Sequence, residues 1–127
     1  MSLQEYPGLD LPGTATRTVP LLRAIRPGRL VSASWRQETA VDGAKTVAIR
    51  NGTRGVLMTA QLTINGLGAL GGANFVVNTD GSADYTIGDA IDLVYTVNTA
   101  GAVGAGCAAV AMDCNEGVGY EGGGIGG

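Results

Sequence analysis

At 127 residues the chain is one domain, long enough for a single core. It carries 22 Gly, over twice the usual share, yet its hydrophobic runs exclude disorder. Charged residues make up only 15 %, well below the usual quarter, which points to an oligomer or to burial in a larger assembly.

The net charge is −3 and it is unevenly spread. All eight basic residues lie between Arg17 and Arg54, against four acids up to that point, a balance of +4. After Arg54 there is no basic residue and seven acids follow. Basic and acidic ends of this kind pair between subunits or steer one side onto a charged partner. The plainer alternative is solubilising charge scattered on loops. Seven of the eight basics are Arg, the better residue for interface ion pairs.

All four prolines, Pro7, Pro12, Pro20 and Pro27, fall within residues 1–28. Proline lacks an amide donor and pushes its predecessor toward extended backbone. Residues 1–28 are therefore predicted to be an extended N-terminal arm. Its apolar residues, among them Tyr6, Leu9, Leu11, Leu21 and Leu22, need burial, either along a neighbouring surface or as a strand capping the chain's own sheets. With Arg17, Arg23 and Arg26 they are the candidate partner-binding residues. Removing residues 1–24 is then expected to leave a folded domain. No positively charged start with an apolar core marks a secretory signal, and no apolar run approaches the ~20 residues of a membrane span.

The domain proper is expected over 29–114. Leu30–Trp35 reads as a strand with Val31, Ala33 and Trp35 on one face, the single Trp being a core anchor. Lys45–Arg50 is a short strand. Asn51-Gly52 is the strongest hairpin signal, and a two-residue turn there sets Val47 opposite Val56. Gly55–Asn65 alternates, with Val56, Met58, Ala60, Leu62 and Ile64 inward and Leu57, Thr59, Gln61 and Thr63 outward. Ala73–Asn78 and Tyr85–Ile87 are further short strands.

The stretch Ile87–Cys114 organises the rest. Ile91, Leu93, Tyr95 and Val97 alternate with polar or small neighbours, and Ala108, Val110, Met112 and Cys114 form a second inward face. Gly101, Gly104 and Gly106 between them suggest a turn, so the two runs are predicted to pair as the core hairpin. Cys107 and Cys114 lie about 23 Å apart on a continuous strand, beyond the ~7 Å that a disulfide allows unless the strand ends between them. Both are read as reduced and buried, in a protein made in a cytoplasm. Residues 115–127 hold seven Gly and form a flexible tail on composition. No helix is convincing. Short strands with turns roughly every 8–12 residues predict an all-β, antiparallel, jelly-roll-like β-sandwich.

Chemical motifs are weak. Gly66–Gly71 matches G-x-G-x-x-G, but that fingerprint needs a helix next and a strand is predicted instead. Asn51–Thr53 matches a glycosylation sequon and serves better as a turn. Asp80–Asp84, with Asp89 and Asp92 nearby, offers carboxylates but no complete calcium loop. The chain has no His, so the usual general base is missing, as is the commonest zinc ligand. Six aromatics across the chain give no platform for a sugar-cleaving carboxylate pair. No enzyme, cofactor or metal is expected, and neither nucleic acid nor membrane is expected as a partner.

The arm, the Ala/Gly/Val/Thr-rich strands and the ending GDAIDLVYTV…GAVGAGCAAVAMD resemble those of small tailed-phage virion proteins. These are the capsid decoration (cement) proteins and related head-fibre or tail-appendage sandwiches. The likeness spans about Arg29–Cys114 and rests on strand style. It implies a jelly-roll-like domain, often a homotrimer on the virion's capsid surface, with a terminal arm gripping the major capsid protein. A head-fibre, tail-fibre or baseplate subunit fits the same features. A carbohydrate-binding module is the rival from another class, with a small hydrolase behind it.

Overall fold

The computed structural model describes residues 2–9, 15–38, 41, 43–65, 71–99 and 108–116. Those residues form ten strands and no helix. They are β1 (Ser2–Leu9), β2 (Arg17–Arg23), β3 (Gly28–Gln37), β4 (Lys45–Asn51), β5 (Val56–Leu57), β6 (Leu62–Thr63), β7 (Gly72–Asn74), β8 (Asp84–Tyr85), β9 (Ala90–Val97) and β10 (Ala108–Glu116). Two five-stranded antiparallel sheets result. The first runs β1-β10-β3-β7, with β8 also on β3; the second runs β2-β9-β4-β5, with β6 also on β4.

One hydrophobic cluster draws on both sheets. From the first come Leu30, Ala33 and Trp35 of β3 with Ala108, Val110, Met112 and Cys114 of β10. From the second come Val47 and Ile49 of β4 with Ile91, Leu93 and Tyr95 of β9. Burying a side chain of this size contributes about 1.5–3 kcal/mol. Trp35 is fully buried, and its indole Nε1 donates to Gln37 Oε1 at 3.1 Å, so its one polar atom is satisfied inside.

Both inward faces expected of the Ile87–Cys114 stretch are found, but not their pairing. β9 and β10 lie in different sheets: β9 runs between β2 and β4, and β10 between β1 and β3. Each is a central strand, which explains its dense apolar face. Cys107 lies outside the described residues; Cys114 is buried.

The expected arm is corrected at its described residues. β1 pairs with β10 from Ser2↔Cys114 to Leu9↔Ala108, and β2 pairs with β9 from Arg17↔Tyr95 to Arg23↔Ala90. The chain thus caps its own sheets. Pro7 and Pro20 are accommodated because both strands are edges, and each ladder shifts register at its proline, over Tyr6–Leu9 and Pro20–Leu22. The second shift inserts Leu21, so that Leu21 and Leu22 both pack on the core, which strict alternation forbids. The tail's expected start falls inside β10, which continues to Glu116; residues 117–127 are outside the described residues.

Bulges and turns account for the other corrections. In β3, Ser32 pairs with Asp113 and Leu30 with Cys114, so Val31 is an extra residue. Leu30 therefore points inward and Val31 outward, the reverse of the simple alternation. After β4 the turn occupies four residues, 52–55, rather than two: Asn51 pairs with Val56, and Val47 with Leu62 instead of Val56. Gly55, at φ +73°, takes the left-handed position. Its N–H donates to Asn51 O at 2.8 Å, while Asn51 Oδ1 accepts from Arg54 N at 3.0 Å.

Candidate interaction surface

The eight candidate partner-binding residues divide on burial. Tyr6, Leu9, Leu21 and Leu22 are half-buried and packed on the chain's own core. Leu11 lies outside the described residues. Arg17 is exposed at the start of β2. Arg23 and Arg26 are exposed at and beyond its end, and these two stand where three turns converge.

Those turns are 24–27, 52–55 and 86–89. Gly88 N–H donates to Ala24 O at 2.7 Å and Ala24 N–H to Asp89 O at 2.8 Å, tying the first turn to the third in both directions. Arg23 Nη1 donates to Gly88 O at 2.9 Å. Gly52 N–H donates to Ala90 O at 2.8 Å, and Thr53 Oγ1 accepts from Ala90 N at 2.9 Å, which ties in the second turn. Gly88, at φ +89°, supplies the left-handed residue that reverses the chain here.

Asp89 is the centre of this end. It is 4 % exposed. Its Oδ2 accepts from Asn51 Nδ2 at 2.9 Å and from Thr86 N at 3.0 Å. The Asn51 hydrogen bond, then the Thr86 N–H and the nearby Arg54 charge, hold its carboxyl below the usual range, against the opposing effect of burial. Asn51, the sequon's acceptor, is buried with its side-chain oxygen and nitrogen both engaged.

Around this polar centre the surface is apolar and basic. Ile25 is 75 % exposed and Ile87 67 %. Arg23, Arg26 and Arg54 are exposed beside them in the same turns. An open cleft of about 210 Å³ lies alongside, lined by Gln4, Arg23, Ile25, Arg26 and Tyr85 among others. Ile25, Ile87 and Arg54 were not among the sequence candidates. The signal for Ile87 was an aliphatic residue in a turn, immediately before Gly88-Asp89.

Part of the uneven charge meets within the chain. Arg29 Nε meets Asp84 Oδ1 at 2.7 Å, Arg50 stands opposite Asp92 on the neighbouring strand, and Arg54 Nη1 donates to Asp84 O at 3.0 Å. The Asp80–Asp92 carboxylates do not converge: Asp80 accepts from Ser82 N and Oγ, Asp84 pairs with Arg29, and Asp89 turns inward. Among the described residues no cluster of three or more acidic, Cys or His residues is placed to hold a metal ion. The strand β7 stands just after the G-x-G-x-x-G stretch, where a dinucleotide site needs a helix. No protein-family model matches the chain, and neither a curated protein nor a solved structure matches it.

Proposed function

We propose that the chain is a structural virion protein that binds the outer surface of a phage capsid as a decoration (cement) protein, built as a jelly-roll-like β-sandwich. The observation that carries this reading is the strand order. β1, β2, β3 and β4 alternate between the two sheets, and β9 and β10 return into the centre of each. That alternation supports the jelly-roll reading, an architecture used by viral capsid and lectin domains. The lectin-like alternative is disfavoured because Trp35, Phe75, Tyr85 and Tyr95 are all buried and Tyr6 half-buried. Among the described residues only Tyr6 leaves part of an aromatic ring exposed, which is no platform for a sugar to stack on.

The partner on this reading is the major capsid protein; the low proportion of charged residues supports an oligomer, and the resemblance implies a homotrimer. Immunogold labelling of particles from the encoding phage tests the placement, with heat challenge of heads lacking and regaining the protein as the functional readout. Label over the heads, and greater heat resistance on re-addition, are expected. Label on the tail moves the protein to a fibre or baseplate, and particles without label remove the virion reading altogether.

A further inference from the structure

We propose that Asn51-Gly52 is a latent deamidation site, and that the bonds joining the three turns hold it closed in the folded chain. An Asn before Gly is the pair most open to this reaction, because glycine carries no side chain to obstruct its own nitrogen. The Gly52 nitrogen, its proton lost to solvent, attacks Asn51 Cγ. The Cγ–Nδ2 bond breaks, ammonia leaves, and a five-membered succinimide remains. Water, the only co-reactant, then opens that ring to an aspartate or an isoaspartate.

Every group in that step is already engaged. Gly52 N–H donates to Ala90 O at 2.8 Å, so the nucleophile's proton is committed to β9. Nδ2, the leaving group, donates to Asp89 Oδ2 at 2.9 Å, and Oδ1 accepts from Arg54 N at 3.0 Å. Swinging Cγ onto the Gly52 nitrogen breaks both side-chain bonds at a residue with no exposed surface, and leaves their partners unmatched in the interior. The chain holds a second such pair, Asn65-Gly66. Asn65 is exposed, and its Oδ1 accepts from Lys45 N at a long 3.4 Å.

Conversion would undo the network that prevents it. An aspartate at position 51 sets a second carboxylate against that of Asp89, across the distance the hydrogen bond now spans, and two buried like charges there repel. An isoaspartate also adds a carbon to the backbone, at a residue whose strand partners are Val56 and Ile91. Either product loosens the end where turns 24–27, 52–55 and 86–89 meet. The fold keeps the labile pair because it uses both halves. Asn51 is at once donor to Asp89 and acceptor for Arg54 N, and a Cβ added at Gly52 would meet the Asp92 carboxylate.

The test incubates the full-length chain near neutral pH, folded and in urea, and follows conversion by peptide mass spectrometry with an isoaspartate assay. No basic residue follows Arg54, so trypsin releases Asn51 in residues 51–54 and Asn65 in residues 55–127. Asn51 is expected to convert about tenfold or more slowly in the folded chain than in urea, because only locally opened molecules react. Asp89→Ala removes the acceptor of Nδ2 and is expected to speed Asn51 while leaving Asn65 unchanged. Asp89→Asn keeps an oxygen in that place and is expected to restore the protection. Wild-type Asn51 that converts as fast folded as in urea overturns the proposal, whether or not Asp89→Ala folds. A folded Asp89→Ala chain that leaves Asn51 slow, or speeds both asparagines alike, also overturns it, since these bonds then do not set the rate.

Discussion

Asn51 and Asp89 join the turn after β4 to the turn before β9, and the link is a hydrogen bond of 2.9 Å between two buried side chains. A buried carboxylate is tolerable only when it is hydrogen-bonded, and here Asn51 Nδ2 and the Thr86 N–H both donate to Oδ2. Because Asp89 titrates below its unfolded value, which lies near 3.9, its contribution to stability is fully present above that pH. It is lost as pH falls through the lower, folded value. Asp89→Asn keeps the shape and removes the charge. The gap in melting temperature between wild type and Asp89→Asn should be widest at neutral pH and close below about pH 4. A gap that ignores pH across a titration series would mean that the charge does not contribute. Asn51-Gly52 announced a turn in the sequence, but not this role. Asn51 remains within β4 as an acceptor for Arg54 N, while Gly55 takes the left-handed position. The pairing with Asp89, 38 residues away, has no local signature.

Strands were legible where period-2 alternation is long and unbroken. Ile91, Leu93 and Tyr95, and Ala108, Val110 and Met112, face inward as their spacing dictates. Which strand lies beside which was not legible, because alternation reports a buried face and says nothing of the neighbour. β9 and β10 are consecutive strands with strong faces, yet they belong to separate sheets. Alternation also fails where a side chain takes over a backbone role. Thr59 was expected outward and Ala60 inward; the structure has Thr59 buried and Ala60 exposed. Thr59 Oγ1 accepts from Ile49 N at 3.1 Å and donates to Ala60 O at 3.0 Å, filling the gap between β5 and β6, while Thr59 bridges to Val77. Thr59→Val is nearly isosteric but leaves the buried Ile49 amide without that acceptor. It should cost about 1–3 kcal/mol in denaturant unfolding. A loss near zero would show that the hydroxyl is not needed to hold this segment on β4.

Across the whole molecule, the topology explains why a sequence basic in its first part and acidic in its second forms one domain. β1 lies against β10, β2 and β4 against β9, and part of β3 against β8, so early strands meet late ones. The antiparallel ladders bring Arg29 to Asp84 and Arg50 opposite Asp92. At these two positions basic and acidic residues meet inside one chain. The same wrapping decides what residues 1–24 do. Leu9, Val19, Leu21 and Leu22 pack on the common core, Tyr6 pairs opposite Val110, and β1 and β2 each complete the edge of a sheet beside a central strand. Deleting 1–24 removes one edge strand from each sheet and exposes the flanks of β9 and β10. An isolated arm could be cut away with the domain intact; two edge strands drawn from opposite ends of the ladder network cannot. The truncated chain is expected to lose its cooperative thermal transition and to be cleaved rapidly by a nonspecific protease, while the full chain melts in one step. A truncated chain that retains a single sharp transition near the full-length melting temperature would show that the two sheets close without β1 and β2. The N-terminal segment would then be an appendage, and the particle-gripping role first suggested by its prolines would return to it.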